Sequence, residues 1–309
     1  MQLPLTTMSD ERRRQLIAHP TKEPVEFVID TDTMNEIDDQ FALVYALTAP
    51  RLKCLGVYAA PFVNRIYTTP AAGMEASYHE ILALLQYMRF ENPPPVLQGS
   101  KAWITATDRP VDSPAVRDLI NRCLATDYLM VVSIGALTNV ASALMLEPKI
   151  ADHIVLVWLG GQPEYWHTAR EYNLSGDLKA TQFVLDSGVP LVRFPCKNVA
   201  EHMRSTPAEI EKHVGSIGII GAYLSRIFRQ IIPGQMRSKV IWDLVPLAWL
   251  VNPDWIPSHV IPTPKLKDDQ TWDTSDATRP VYRVAIDAHR DPILADFVQA
   301  LKAYHDTHE

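Results

Sequence analysis

The sequence predicts an α/β fold, a mainly parallel open sheet with helices on both faces and a Rossmann-like core. Short apolar runs typical of buried strands alternate along the chain with longer segments of helical periodicity, the pattern of parallel strands joined by crossover helices. The 309 residues are 47% hydrophobic and 21% charged, enough for one large α/β domain or two small ones. Because no shift in composition divides the chain, we expect one domain.

The first predicted unit is a strand, a loop and a helix. Residues 25–30 form a short apolar run that ends in acids, which is typical of a buried strand. Residues 38–49 carry apolar side chains at helical spacing and stop at Pro50. Residues 1–24 show no sustained apolar period. We therefore expect a lead-in segment with room for one short helix, followed by a single domain over residues 25–309.

The later elements continue this alternation. Predicted strands cover residues 53–60, 96–97, 128–134, 154–159 and 191–194. Predicted helices cover residues 71–90, 114–126, 136–146, 177–187, 207–232, 242–251 and 291–304. Within 207–232, the glycines at 215, 218 and 221 are weak points or breaks of the helix. The segment 262–280 is rich in Pro, Asp and Thr, and we expect a long loop there.

Charge and cysteine content restrict the class of protein. Lys+Arg 29 against Asp+Glu 36 gives a net charge of −7, which argues against nucleic acid or an anionic membrane as the main partner. No apolar run approaches the ~18 residues of a membrane span. Residues 12–14 are arginines without an apolar stretch behind them, so no secretory signal is expected. Cys54, Cys123 and Cys196 are widely spaced, which is typical of free thiols in the cytoplasm.

Four carboxylates lie at the end of the first predicted strand: Asp30, Asp32, Asp38 and Asp39. In parallel sheets, ligands bind beyond the carboxyl ends of the strands. Four neighbouring carboxylates repel one another unless a cation or a proton lies among them. Helix capping by Asp38 or Asp39 would explain one or two of the acids, whereas a hard divalent cation with oxygen ligands explains all four. The sequence therefore predicts a metal site here.

The same segment carries a family resemblance. Asp30-Thr31-Asp32, followed by Asp38-Asp39-Gln40-Phe41-Ala42-Leu43, resembles the N-terminal aspartate signature of the nucleoside hydrolases, which cleave the N-glycosidic bond of ribonucleosides using bound calcium. Further motifs resemble the family's in the family's order: Ser133-Ile-Gly-Ala-Leu-Thr-Asn139 its G-P-L-T-N loop, Leu159-Gly160-Gly161 its M-G-G strand end, Glu171-Tyr172-Asn173 its E-x-N element, and Trp242-Asp243 its H-D pair. The set spans most of the chain.

The resemblance implies a calcium site and its ligands. The side chains of Asp32, Asp39 and Asp243 and the backbone carbonyl of Thr138 would bind the ion, and Asp30 would support them. Calcium takes 6–8 oxygen ligands, so the substrate diol and the attacking water would fill about half of its shell. Asp32 is the most plausible acceptor for the proton of that water.

The resemblance also implies the substrate contacts. Asp38 would hold ribose hydroxyls, and Glu171 and Asn173 would bind the ribose on its other side. Cleavage develops oxocarbenium charge at C1′, which nearby carboxylates stabilise. The expected products are ribose and a free base. The expected partner is a small-molecule nucleoside, and we expect a homo-oligomer, a dimer or a tetramer.

Two departures from the family's pattern concern loops. Five residues, 33–37, separate Asp32 from Asp38, whereas the family usually has three. After the second strand, where the family often has a ribose-binding asparagine, the sequence is Ala59-Ala-Pro-Phe62. Asn35 or Asn64 is a candidate to replace it.

A third departure concerns the leaving group. Trp242 lies where family members carry a histidine proton donor, and an indole N–H does not protonate a leaving base. Trp242 either stacks on a purine or is a core residue that opens a buried helix. His167 is either a replacement acid or a solvated loop residue. The neighbouring Tyr165 and Trp166 are expected to be lid residues.

Two other functions are compatible with parts of the sequence. A phosphatase of the haloacid dehalogenase type also has Asp-x-Asp after its first strand, but it expects Thr or Val in place of Met34 and gives Asp243 no role. A nucleoside- or ribose-binding protein that has lost turnover is favoured by the missing histidine. Retention of every metal and ribose carboxylate favours an enzyme, because binding alone does not need a cation that activates water.

Overall fold

A single eight-stranded sheet forms the centre of the computed structural model, which describes residues 3–232 and 237–308. The strands are β1 (Val25–Thr31), β2 (Leu52–Ala59), β3 (Val96–Gln98), β4 (Leu129–Ser133), β5 (Ile154–Leu159), β6 (Leu191–Phe194), β7 (Arg204–Ser205), β8 (Lys239–Val240), β9 (Ser258–Pro262), β10 (Lys265–Leu266), β11 (Trp272–Asp273) and β12 (Val281–Ala285). The order in the large sheet is β3-β2-β1-β4-β5-β6-β12-β9. All its pairings are parallel except that of the edge strand β9 with β12. The predicted mainly parallel α/β fold is confirmed.

The helices follow the predicted alternation. They are α1 (Asp10–Leu16), α2 (Asp38–Thr48), α3 (Pro70–Tyr87), α4 (Ile104–Thr107), α5 (Pro114–Leu124), α6 (Thr138–Leu146), α7 (Tyr172–Gly176), α8 (Leu178–Ser187), α9 (Pro207–His213), α10 (Gly218–Ile231), α11 (Leu244–Val251) and α12 (Arg290–His308). Three of them, α3, α5 and α9, begin with proline after a capping hydroxyl, which accepts from a backbone N–H of the first turn. Proline fits this position because its missing N–H would have no partner there.

The sheet is buried on both faces. In β1, the side chains of Phe27 and Ile29 enter one apolar cluster and that of Val28 enters the other. The first cluster includes residues of α2, α3, α10, α11 and α12, and the second includes residues of α5, α6 and α8. Strands covered on both faces are continuous apolar runs in sequence. This is why the local sequence predicted the central strands.

The C-terminal part differs from the prediction, which assigned no strand after residue 194. The expected loop 262–280 contains the short antiparallel hairpin of β10 and β11, because Leu266 is buried in the second cluster. The strand β12, which was not predicted, then lies between β6 and β9. Its apolar run is interrupted by Arg283, whose guanidinium donates to the Ile17 carbonyl and the Ser258 hydroxyl. These hydrogen bonds offset the cost of placing a charged side chain in a sheet.

The predicted helix 207–232 is two helices. Helices α9 and α10 are separated at 214–217, where the glycines weaken helical structure. A Cβ at position 221 would lie 2.2 Å from the Val214 carbonyl oxygen, so the crossing of the two segments requires Gly221. The lead-in segment holds the one short helix expected, capped by Ser9. The division of domains at residue 25 stays a prediction.

The structure also bears on the cysteines and on membrane-spanning helices. The cysteines Cys54, Cys123 and Cys196 are free. Among the described residues, we find no helix that combines the length and the apolar character required to cross a bilayer.

Candidate active site

A cavity of about 300 Å³ lies at the carboxyl ends of β1, β5 and β6. Its acidic floor is formed by Asp32, Asp38, Asp39 and Asp243, and its remaining polar or aromatic walls by Asn35, Glu36, Gln162, Glu171, Tyr172, Asn173, Lys197 and Trp242. The sheet places these residues together because parallel strands that point the same way bring their following loops to one edge. Most of the residues predicted from sequence therefore share one cavity.

The acids form a compact buried cluster. Carboxylate oxygens of Asp38, Asp39 and Asp243 all lie within 4.8 Å of one another, and all three side chains are buried. The sequence expected Asp32 in this set rather than Asp38. Asp32 is buried and lines the same cavity, and within residues 3–232 and 237–308 its Oδ2 atom has no hydrogen-bond partner.

Burial and mutual repulsion disfavour the ionised forms of these acids. Burial, and then the charge of Asp38, raises the pKa of Asp39 to about 7. The same two causes, burial first and neighbouring carboxylates second, raise the pKa of Asp32 and Asp243 well above the ordinary value. Burial also raises the pKa of Asp38, although the charge of Lys239 opposes the shift. Such a cluster holds either protons or a cation.

The residues present fit a hard divalent cation. The donors are carboxylate oxygens, the ligands that calcium prefers, and the unpartnered Oδ2 of Asp32 supplies a further buried acceptor. Thr138 does not line the cavity. It is buried at the first residue of α6, and its hydroxyl donates to Asp177 at 2.9 Å.

Asp30 lies behind the cavity. It accepts from Asn139 Nδ2 at 2.7 Å and from the Ser133 hydroxyl at 3.4 Å, and it does not line the cavity. Burial raises its pKa to about 7, although the hydrogen bonds from Asn139 and Ser133 oppose the shift. Asp30 therefore connects β1 to β4 and to α6 beneath the acid cluster.

The opposite wall is built on the start of α7. Glu171 caps this helix and accepts from the backbone N–H groups of Asn173 at 3.0 Å and Leu174 at 3.1 Å. Asn173 donates both amide protons, to the carbonyls of Ile134 and Leu159. Its Oδ1 is the atom left to accept from a ligand hydroxyl. Burial raises the pKa of Glu171, and the backbone N–H groups oppose the shift.

The longer loop 33–37 also reaches the cavity. Asn35 lines it, whereas Asn64 does not. Instead, Asn64 Nδ2 lies 3.4 Å from both the backbone oxygen and Oδ1 of Asn35. Of the two candidate asparagines, only Asn35 is therefore placed to meet a substrate directly.

Sequence reasoning missed an ion pair at this loop. Lys239 of β8 contacts the carboxylate of Glu36 and lies 3.8 Å from Asp38 Oδ1. Burial alone would lower the pKa of Lys239, but the charges of Asp38 and Glu36 outweigh it and the pKa is raised. The ammonium therefore stays charged beside the acid cluster. No sequence pattern pairs residues 203 positions apart.

Three further lining residues were missed. Gln162 and Lys197 follow the ends of β5 and β6, and Tyr172 lies between two predicted ribose contacts. Lys197 pairs with Glu201 at 2.8 Å, and the Tyr172 hydroxyl donates to the Val63 carbonyl. Their positions after strand ends or inside a recognised motif were the available signal.

Trp242 and His167, the two residues expected to act on the leaving base, lie in different environments. Trp242 is half-buried, lines the cavity and packs against the first apolar cluster. His167 is exposed beside Trp166, with ring centroids 5.7 Å apart, and does not line the cavity. Tyr165 is 70% exposed and accepts from Asn198 Nδ2. None of Tyr165, Trp166 and His167 lines the cavity, so their expected role as lid residues has no support in this structure.

Comparisons with known proteins agree with this architecture. The family model described as inosine-uridine preferring nucleoside hydrolase matches residues 27–295. Non-specific ribonucleoside hydrolases RihC of Salmonella paratyphi A and Salmonella newport are each 27% identical over 258 residues, which cover 74% of this chain and 79% and 78% of theirs.

Solved structures show the same fold. The plant nucleoside hydrolase PpNRh1 has a TM-score of 0.71 at 20% identity, and the purine-preferring ribonucleoside hydrolase from Gardnerella vaginalis has a TM-score of 0.70 at 18% identity. Each match covers 91% of this chain and 99% of the other.

Proposed function

The chain belongs to the inosine-uridine preferring nucleoside hydrolase family, and on that premise we propose that it hydrolyses the N-glycosidic bond of ribonucleosides to ribose and free base with bound calcium. The observation that carries the proposal is the buried cluster of Asp38, Asp39 and Asp243 in a cavity that also contains Glu171 and Asn173. One site then offers both a cation position and acceptors for ribose hydroxyls.

We propose Asp32, Asp39 and Asp243 as the side chains that hold the ion, with the Thr138 carbonyl as a further ligand. The raised pKa of Asp39 and Asp243 supports this assignment, because burial and neighbouring carboxylates disfavour both charges. The Oδ2 of Asp32 supports it as well, because it is a buried acceptor without a partner among the described residues. Calcium, when bound, orients water and makes it more acidic.

In the proposed reaction, residues of this chain act on the attacking water and the ribose, and the leaving base takes its proton from solvent. A water oxygen bonds to C1′, the C1′–N bond breaks, and its electron pair leaves with the base. Asp32 takes the proton from the attacking water, since its buried carboxylate lines the cavity beside the proposed ion position. The surrounding carboxylates stabilise the positive charge that develops on the ribose ring.

Ribose recognition is assigned to two sides of the cavity. Asp38 and Asn35 would bind hydroxyls from the side of β1, and Glu171 and Asn173 from the side of α7. Asn173 has its amide protons committed to backbone carbonyls, so its Oδ1 faces the substrate as an acceptor only. This fixed orientation favours a hydroxyl donor over a carbonyl group.

Trp242 would act on the leaving base by stacking. Among the described residues, the cavity lining contains no histidine, so the base is expected to take its proton from solvent. A purine gains this proton at N7 more readily than a pyrimidine does at its ring atoms. We therefore propose purine nucleosides as the better substrates.

The test is ribose release from a panel of purine and pyrimidine nucleosides, with and without chelator. We expect release that stops on chelation and returns with calcium, faster for purines. Release that survives exhaustive chelation would contradict the metal assignment. Nucleoside binding by calorimetry with no release from any base would favour the second candidate, a ribonucleoside-binding protein, which the replacement of the donor histidine by Trp242 supports.

A cytoplasmic homo-oligomer, either a dimer or a tetramer, belongs to the same proposal. The three free cysteines support a reducing compartment. Light scattering of the purified protein measures the oligomeric state directly, and a monomer at all concentrations would contradict this part of the proposal.

A further inference from the structure

A buried arginine lies directly behind the cavity wall. Arg193 is the penultimate residue of β6, in register with Trp158 of β5 and Val284 of β12, and its side chain is completely buried. An interior guanidinium is costly unless its charge is paired and its N–H groups find acceptors. The partners of Arg193 therefore indicate what the residue contributes.

Its charge is compensated on one side. Arg193 contacts the Glu164 carboxylate, and the Tyr282 hydroxyl donates to the same carboxylate. Burial alone would raise the pKa of Glu164, but the charge of Arg193 and the hydrogen bond from Tyr282 outweigh it and the pKa is lowered. The Trp272 ring lies 4.8 Å from the guanidinium carbon, within cation–π range.

On its other side, Arg193 holds the turn that follows β5. Its Nη1 donates to the carbonyls of Gly160 and Gln162, each at 3.1 Å. Trp272 Nε1 donates to the same Gln162 carbonyl at 2.9 Å. Gly161, between them, has φ +72, and a Cβ there would lie 3.1 Å from Arg193 Nη1. The turn is therefore fitted to the guanidinium at backbone level.

This turn forms the cavity wall. The Gly161 N–H donates to Glu171 Oε2 at 2.9 Å, and the Gly161 carbonyl accepts from the Cys196 N–H at 3.0 Å. The side chain of Gln162 accepts from the Lys197 N–H at 3.0 Å. Moving the turn would move Glu171 and the start of the loop after β6 together.

We propose that Arg193 is a positioning residue for ribose recognition, which fixes the 160–162 turn so that the Gly161 N–H holds the Glu171 carboxylate at the cavity wall. This proposal rests on the proposed function, because Glu171 matters to turnover only if the ligand carries ribose. Arg193 touches no substrate itself, since it does not line the cavity.

The principal variant is Arg193→Met, which keeps side-chain length and apolar bulk but removes every hydrogen bond. Its matched control is Arg279→Met. Arg279 likewise donates to two carbonyls, of Thr263 and Leu185, and to a carboxylate, of Asp186, but it contacts no part of the 160–162 turn. Both variants lose a network of the same kind and both are expected to melt at lower temperature.

Activity separates positioning from stability. At temperatures below the melting range of both variants, we expect Arg193→Met to lower kcat/KM for a purine nucleoside about 10- to 100-fold, mainly through KM. The reason is that a shift of about 1 Å in a substrate contact, here that of Glu171, costs up to about 10²-fold. Arg279→Met should stay within about threefold of wild type. If both variants lost activity equally, or neither lost any, the proposal would be overturned.

Two further variants keep the test decisive if Arg193→Met fails to fold. Trp272→Phe retains the ring over the guanidinium and removes only the hydrogen bond to Gln162, so we expect a smaller KM increase of about 3- to 10-fold. When Arg193→Met or Trp272→Phe is combined with Glu171→Gln, the fold-loss of kcat/KM should be smaller than the product of the two single losses, because both changes act on one contact. Strictly multiplicative losses would contradict action through Glu171.

Hydrogen exchange supplies a readout that does not depend on turnover. Amides of residues 160–174 should exchange faster in Arg193→Met or Trp272→Phe but not in Arg279→Met. If wild type released ribose from no nucleoside, the proposed function would fail while this measurement still tested the positioning. If these amides exchanged at the wild-type rate in both Arg193→Met and Trp272→Phe, the inference would be overturned.

Discussion

The aspartates at the cavity floor are buried together, and few partners offset the cost of burying their charges. Lys239 lies beside Asp38 and the Thr31 hydroxyl donates to Asp39, but Asp32 Oδ2 has no hydrogen-bond partner among the described residues. Buried charges persist in proteins where a cation or a proton offsets them. The individual residues therefore predict how the site should respond when one carboxylate is removed.

Replacing Asp39 by Ala is expected to abolish calcium binding. The change removes ligand oxygens and one negative charge together, and the remaining carboxylates cannot complete a shell of 6–8 oxygens. Calorimetric titration of calcium measures this, with Asp112→Ala as the control because Asp112 is paired with Arg117 at the surface. Unchanged calcium affinity in Asp39→Ala would exclude this cluster as the site.

Trp242 and His167 are expected to differ in their effect on the leaving group. Trp242→Ala should lower kcat/KM for purine nucleosides about 10- to 100-fold, because stacking on a base contributes about 1–3 kcal/mol. The loss should be smaller on a nitrophenyl riboside, because its single ring offers less area for stacking than a purine. His167→Ala should change neither substrate, since the ring is exposed outside the cavity.

A selective loss on natural nucleosides in His167→Ala would contradict this placement. General-acid help is worth about 10²–10⁴-fold, so a loss of that size would mean that the 162–170 loop moves to the acid cluster during turnover. Equal losses on both substrates in Trp242→Ala would contradict a preferential contact of Trp242 with the purine base.

At the scale of elements, local sequence predicted the strands that are buried on both faces and the helices with capping hydroxyls. The run in β5 is apolar throughout, and the hydroxyl-proline starts of α3, α5 and α9 are local signals. Strand β12 could not be predicted in this way. Its arginine, Arg283, is compatible with a strand only because Ile17 and Ser258 supply acceptors, and those contacts are tertiary.

The link between β8 and the 33–37 loop gives a prediction at this scale. Lys239 is 14% exposed and joins Glu36 in the loop to Asp38 at the start of α2. We expect Lys239→Gln to lower kcat/KM about tenfold. The change removes the charge that holds the 33–37 loop, which carries Asn35, against Asp38 at the start of α2. Steady-state kinetics on one purine nucleoside checks this.

The control for this prediction is Lys179→Gln. Lys179 forms an exposed pair with Asp108, and such pairs contribute about 0–1 kcal/mol, so its kinetics should match wild type. Glu36→Gln should reproduce part of the Lys239→Gln effect. Kinetics of Lys239→Gln that match Lys179→Gln would mean that the loop holds its position without this ion pair.

For the whole molecule, the order of motifs along the chain predicted where the site lies and most of its acids. What it could not supply were contacts between charged residues distant in sequence, such as Lys239 with Glu36 or Arg193 with Glu164. Neither pair follows a periodic pattern, and both depend on how the sheet brings loops together. The position of His167 outside the cavity likewise follows from anchoring of its loop at Ala169 to the Gln270 carbonyl.

The pH dependence of stability is the prediction that involves the whole fold. Burial raises the pKa of Asp30 and Asp39 to about 7 in the folded state, above their unfolded values. The folded protein without metal therefore binds more protons than the unfolded chain between about pH 4 and 7, and its free energy of unfolding falls as pH rises through this range. Glu164, whose pKa is lowered, acts in the opposite direction, but its stabilising contribution is complete once the pH exceeds its unfolded pKa at the acid end of this range.

Calcium should remove this penalty, because the cation replaces the protons and needs ionised ligands. In chelator, we expect the melting temperature to fall by at least about 5 °C from pH 6 to pH 8, and the stabilisation by added calcium to be larger at pH 8. Asp39→Asn, which cannot ionise, should weaken the pH dependence in chelator and bind little calcium. A chelated wild-type protein that is equally stable at both pH values, or more stable at pH 8, would mean that the buried acids are already compensated within the fold and that the cluster needs no cation.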